Sequence, residues 1–180
     1  MKKRIVLIID TLRTGGAQTV LLLTVQALSE RRWQILVVFL HSGKDEINIT
    51  KLSAFPNLTL KLAAYNFFDP LAVFGLKSII RAFEPDIVQT HLTQSNTQGT
   101  LAAKLVGVPC VAVIHSAAFA NKGMRTSYYQ AETFALNHFA SRIFAVGNAV
   151  AAFHQSRFPH KKLDVICNSI AVPEPPSQEQ

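Results

Sequence analysis

The sequence is poor in the features that mark several common protein classes. It has two cysteines, Cys110 and Cys167, in 180 residues. They are not in CxxC spacing, and each falls in or at the end of an apolar strand run. Buried free thiols in a reducing compartment are therefore expected. No apolar run approaches the roughly 20 residues that span a bilayer. The N-terminus is basic and then apolar, as a secretory signal is. Asp10 and Arg13 soon interrupt the apolar run, however, and no small-residue cleavage pattern appears. Acidic residues are few, 11 against 18 Lys and Arg, for a formal net charge of +7. The basic residues sit in small groups, Lys2-Lys3-Arg4, Arg31-Arg32 and Lys161-Lys162, with no interleaved aromatics. An anionic substrate or lipid surface suits that charge at least as well as nucleic acid, and no nucleic-acid partner is expected. Neither G-x-G-x-x-G, G-x-x-x-x-G-K-[ST] nor G-x-S-x-G occurs, so dinucleotide, Walker-type and nucleophile-elbow sites are unsupported. There is no internal repeat.

What remains is a soluble, apolar-leaning composition, 49% hydrophobic and 16% charged, at a length that suits one domain. The stretch Ile5 to Leu21 organises it. Ile5 to Ile9 is an uninterrupted apolar run, as expected for a strand covered on both faces. Gly15 and Gly16 then close a short loop before an amphipathic helix. The helix directs its free N–H groups and positive dipole end at that loop, which makes an anion site. Equally, the glycines only make a tight strand-to-helix turn.

Ala17, Val20, Leu21, Val25 and Leu28 carry the first helix to Glu30, with Arg31-Arg32 at its C-terminus. Ile35 to Leu40 reads as a second strand and Glu46 to Phe55 as a short helix. Leu58 to Leu62 alternates like a half-exposed edge strand. Asp69-Pro70 caps a helix that Glu84-Pro85-Asp86 ends. Ile87 to Thr90 is a fourth strand tipped by His91. Thr97 to Val106 is a helix stopped by Gly107. Cys110 to Ile114 is a fifth strand tipped by His115 and Ser116. A polar segment, 120–125, leads to a helix from about Thr126 to Ala140. Ile143 to Val146 and Leu163 to Cys167 complete seven strands, and 173–180 reads as a linker. Alternation from end to end demands parallel strands with right-handed crossovers. The expected fold is α/β: a doubly wound, mainly parallel, Rossmann-like sheet of about seven strands with helices on both faces.

Such sheets bind ligands beyond the carboxyl ends of the strands, where strand order reverses. With an order 3-2-1-4-5-6-7, the residues on that rim are Asp10, Gly15, Gly16, His91, His115, Ser116, Gly147 and Asn148. A histidine at a strand tip is often only a hydrogen-bonded strand end, and His91 reads that way. His115 adjoins Ser116 and faces 121–125, and so is the stronger candidate. His138, His154 and His160 read as surface or packing residues. His41, His91 and His115 could gather as metal ligands, but no second carboxylate accompanies Asp10, and no metal is expected.

Several segments together resemble the N-terminal domain of family-4 retaining glycosyltransferases, which have the two-domain GT-B fold. They are Gly15-Gly16-Ala17-Gln18, Asp86-Ile87-Val88-Gln89-Thr90-His91, Val113-Ile114-His115-Ser116, Ala145-Val146-Gly147-Asn148 and Val165-Ile166-Cys167-Asn168-Ser169-Ile170. Two positions depart from the family pattern: Ser169 where Gly is usual, and Gly147 where Ser is usual. The resemblance implies a hexosyltransferase that uses a nucleotide-sugar donor without metal or other cofactor. The acceptor would be a lipid-linked or cell-envelope glycan. Gly15 and Gly16 would approach the donor diphosphate, and His115 would act catalytically beside the transferring sugar. Asp10, His91, Ser116, Asn148 and Arg125 would line the acceptor side of the cleft. Residues 1–172 would form the N-terminal domain, and 173–180 would lead to a covalently linked, donor-binding C-terminal domain that this chain lacks. The chain alone would be inactive. It would be cytoplasmic, with peripheral contact to an anionic membrane on the inner face of the plasma membrane. A stand-alone module binding a phosphorylated or sugar ligand, or a nucleotide-sugar epimerase, are the alternatives.

Overall fold

Parallel strands need crossover connections, and the chain supplies a helix between each pair. The computed structural model describes residues 2–42, 47–63, 66, 67, 69–117 and 125–168, without the side chains of Ile47 and Arg125. Its strands are β1 (Arg4–Thr11), β2 (Gln34–His41), β3 (Leu58–Leu62), β4 (Ile87–His91), β5 (Cys110–Ile114), β6 (Arg142–Ala145) and β7 (Leu163–Val165). They form one sheet in the order β3-β2-β1-β4-β5-β6-β7, and all six pairings are parallel. The expected fold and strand order are both observed. Strand order reverses at β1, which lies between β2 and β4. β3 is the half-exposed edge that its alternation indicates.

The pleat divides β1 between two cores. Ile5, Leu7 and Ile9 pack with α1 (Gly16–Glu30) and α2 (Ile47–Ser53) on one face. Val6 and Ile8 pack with α3 (Pro70–Phe83) and α4 (Thr93–Val106) on the other. A third cluster gathers Ala112, Ile114, Ile143 and Ala145 with Leu136 of α5 (Arg125–Phe139) and Val150 of α6 (Asn148–His154). Being buried on both faces is why β1 and β2 are continuous apolar runs rather than alternating ones.

Local signals set several boundaries. The Asp69 carboxylate accepts from the Leu71 N–H at 2.8 Å, with Pro70 as the first helical residue. Gly107 ends α4 at φ 86, in the left-handed region that glycine tolerates best. Arg31 donates to the Ala27 carbonyl at 3.2 Å, where a cation suits the C-terminal end of α1.

Three expectations need correction. α4 begins at Thr93, four residues before the expected Thr97, because its first turn is capped by Asp10 at the end of β1. β7 stops at Val165, so Cys167 lies beyond it and is exposed, while Cys110 is buried. Burial pushes the Cys110 thiol up to about 11. A thiol reagent applied to the native chain should therefore modify one cysteine rapidly and the second only after unfolding; two equally fast thiols would contradict this placement. Third, the turn into α1 does not use a glycine-only conformation. Gly15 is extended at φ 176, and among the described glycines only Gly107, at φ 86, lies in the left-handed region. The helix expected over Glu46 to Phe55 is observed as α2, ending at Ser53; its expected start at Glu46 lies outside the described residues, as do 43–45, 118–124 and 169–180.

Gly99 decides how closely α4 approaches the sheet. A Cβ there would stand 2.8 Å from Thr90 Cγ2 and 3.0 Å from Ile8 Cδ1. Gly99→Val should lower unfolding stability by about 1–3 kcal/mol, read as a reduced urea midpoint. An unchanged midpoint would show that α4 can shift outward freely.

Candidate functional site at the carboxyl rim of the sheet

The carboxyl ends of β1, β2, β4 and β5 bring Asp10, His41, His91 and His115 to one edge. Asp10 Oδ1 accepts from the Ser95 N–H at 2.7 Å and the Ser95 hydroxyl at 2.6 Å, and Oδ2 accepts from the Gln94 N–H at 3.2 Å. Asp10 therefore caps α4 from 84 residues away in sequence. Leu92, at φ 73, makes the turn that presents those N–H groups. Burial raises the Asp10 carboxyl to about 6 although three donors favour its anion, so desolvation outweighs them.

His91 is fully buried. Its Nδ1 lies 2.8 Å from His115 Nε2, and its Nε2 lies 3.0 Å from Gln89 Nε2. Burial lowers His91 to about 3, helped by the neighbouring His115, and lowers His115 to about 4. Both imidazoles are neutral at physiological pH. His115 and Ser116 line a 60 Å³ crevice with Thr93, Asn96, Glu132 and Arg157.

A polar chain holds the loop after β5. The Thr90 hydroxyl donates to Asn96 Oδ1 at 2.8 Å, and Asn96 Nδ2 donates to Glu132 Oε1 at 2.9 Å. Arg157 Nη2 pairs with Glu132 Oε2 at 2.7 Å, and Nη1 donates to His154 Nδ1 at 3.0 Å. His154 Nε2 then donates to the Ser116 carbonyl at 2.7 Å. His154 is thus a packing residue that fixes the backbone beside His115. On the other side, His41 Nε2 meets Gln94 Oε1 at 2.8 Å, and Gln94 Nε2 donates to Gln98 Oε1 at 3.2 Å. A 680 Å³ cleft lies there, lined by His41, Asn66, Phe67, Asp69, Gln94 and Tyr128. The Phe67 and Tyr128 rings stack with centroids 3.9 Å apart.

Gly15 and Gly16 open α1, whose first turn has no acidic residue and no side-chain cap. A Cβ on Gly15 would stand 2.6 Å from Gln18 Oε1, whereas one on Gly16 would meet nothing within 4 Å. Asn148 is exposed at the start of α6. Arg125 opens α5, and its side chain lies outside the described residues. The rim thus joins His91 directly to His115. Asp10 serves α4, and the glycines and Asn148 stand at separate helix starts. Among the described residues, no three His, Cys, Asp or Glu side chains are grouped to hold a metal ion.

Sequence reasoning missed Gln89, Gln94, Ser95, Glu132 and Arg157. The available signal was the polar run Thr93-Gln94-Ser95-Asn96-Thr97-Gln98 directly after a strand. Its residues Gln94 to Gln98 are buried, which is unusual enough to imply a network.

The family model for Glycosyltransferase Family 4 matches residues 14–172, a span that holds the α1 start, the histidine pair and the Asn148 helix. The chain belongs to Glycosyltransferase Family 4. This family-4 glycosyltransferase domain superposes on HepE of Anabaena in complex with UDP with a TM-score of 0.73 at 20% identity, covering 94% of this chain and 44% of HepE. It is also similar to the lipopolysaccharide outer core galactosyltransferase WaaB, with a TM-score of 0.67 at 14% identity, covering 98% of this chain and 50% of WaaB. MnaA of S. aureus with UDP gives a TM-score of 0.62 at 19% identity, covering 93% and 43%. The family-4 domain therefore spans half or less of the length of these structures. No curated protein gives a significant sequence match.

Proposed function

We propose that this chain is the acceptor-side half of a retaining, metal-independent hexosyltransferase. The donor is a nucleotide sugar, and the acceptor is a lipid-linked or cell-envelope glycan. The family match over 14–172 carries this reading. The donor class is supported by HepE, solved with UDP, with UDP-glucose, and with UDP and glucose. The acceptor class is supported by the name of WaaB.

In this reading His115 lies beside the transferring sugar, and the open, uncapped start of α1 at Gly16 faces the donor diphosphate. The 680 Å³ cleft with its aromatic pair receives the acceptor, with Ser116, Asn148 and Arg125 on the same side of the site, while buried His91 acts behind His115. Residues 173–180 connect to a donor-binding C-terminal domain, so transfer requires the longer protein. Exposed Leu71 (68%) and Phe74 (58%) on α3, with the net charge of +7, support contact with the anionic inner face of the plasma membrane. No helix among the described residues is long and apolar enough to cross a membrane; a cytoplasmic location at that surface is part of the proposal.

The test is a donor-hydrolysis screen across nucleotide sugars with the full-length protein. Hydrolysis of a UDP-sugar, stimulated by a lipid-linked glycan and unaffected by a chelator, is expected. Turnover by residues 1–180 alone, or a strict need for a divalent cation, would overturn the reading.

A further inference from the structure

Three side chains form a run of hydrogen bonds, and the orientation of the Gln89 amide gives the run a direction. Gln89 sits mid-strand in β4, two residues before His91, and its Nε2 is 3.0 Å from His91 Nε2. An amide nitrogen only donates, so His91 Nε2 is the lone-pair nitrogen. His91 is fully buried with no acidic partner in this run, and a neutral imidazole carries its one proton on the other nitrogen. Nδ1–H of His91 therefore donates to His115 Nε2 at 2.8 Å. That bond makes Nε2 of His115 the acceptor and leaves its proton on Nδ1, the nitrogen turned away from His91.

We infer that Gln89 and His91 are positioning residues that hold His115 as the Nδ1–H tautomer, so that His115 meets its substrate as a hydrogen-bond donor and not as a base. The donor role rests on the proposed function; the tautomer does not. Gln89 lines a groove beside Val20 and Thr24 of α1, and its link to His115 runs through His91. An imidazole whose only accepting nitrogen is occupied cannot take a proton from an acceptor hydroxyl. It can offer Nδ1–H to an oxygen of the bound sugar donor, where developing negative charge would strengthen the bond.

The tautomer can be read by two-bond ¹H–¹⁵N correlation spectra of the histidine-labelled chain near pH 7. The expected result is a protonated Nδ1 and an unprotonated Nε2 on both His91 and His115. Gln89→Met removes the fixed donor while keeping the side-chain length, and the His115 proton should then divide between Nδ1 and Nε2. A wild-type His115 protonated on Nε2, or a folded Gln89→Met chain with unchanged tautomers, would overturn the inference. If the variant fails to fold, the wild-type spectrum still decides the tautomer.

In the full-length protein, Gln89→Met should reduce kcat about ten-fold, the worth of one hydrogen bond, with donor KM little changed. A shifted tautomer with unchanged kcat would refute the donor role of His115. Absence of any transfer by the wild type would instead count against the proposed function, because the spectra do not depend on turnover.

Discussion

On the proposed function, replacing His115 by alanine in the full-length protein is expected to lower kcat by about 10²- to 10³-fold, the usual cost of removing one preorganised donor from a reacting centre. The reason is geometric. His115 follows β5, the strand beside β4, so its position is set by the sheet and not by the neighbouring loop. One ring nitrogen is fastened to buried His91 at 2.8 Å, and the carbonyl of the next residue is fastened by His154 at 2.7 Å. A group held on two sides needs little reorganisation during the reaction. Because burial lowers its pKa to about 4, the imidazole stays neutral, and the rate should not report its ionisation between about pH 6 and 8. His115→Asn places an amide N–H near the former Nδ1 and should recover part of the loss, whereas alanine should not. Initial rates at saturating donor measure this, with circular dichroism confirming that each variant folds. An alanine variant within a few-fold of wild type would remove His115 from the chemistry.

The sheet order was legible because it follows from residues acting over short range. Ile5 to Ile9 and Ile35 to Leu40 are buried on both faces and show it as unbroken apolar runs. Asp69-Pro70 and Gly107 mark helix ends within their own turns. The site was less legible because its decisive contacts are long-range. Nothing near Thr93 announces a helix start, since the cap is Asp10, 84 residues before Gln94. The sequence placed Asp10 on the rim correctly but not what its carboxylate does there. His91 and His115 each read as strand tips, 24 residues apart, yet their contact requires the β4–β5 pairing. Gln89 looked like one more strand residue, and its meaning depends on the ring two residues away. Cys167 reads as a strand residue because Ile166 prolongs the apolar run, whereas the strand ends at Val165.

The same histidines should make the domain lose stability in mild acid. In the unfolded chain a histidine takes up a proton below about pH 6.5. In the fold His91 resists protonation down to about 3 and His115 down to about 4. Their contribution is therefore fully present above about pH 6.5 and is lost as pH falls towards those values. His154, also lowered, acts in the same direction. Asp10 opposes them. Its carboxyl is raised from 3.8 to about 6, so the folded chain keeps a proton that the unfolded chain releases. That contribution is largest below pH 3.8 and disappears as pH rises through about 6. Between about pH 7.5 and 4.5 the two histidines act against the fold and Asp10 acts for it, and the two groups that resist a proton outweigh the one that keeps it. A net loss of stability on acidification is expected. Urea unfolding at the two pH values measures it through the midpoint at constant slope. A midpoint that holds level or rises on acidification would mean that His91 accepts its proton inside the fold, and that the buried imidazole pair is not a neutral, hydrogen-bonded unit.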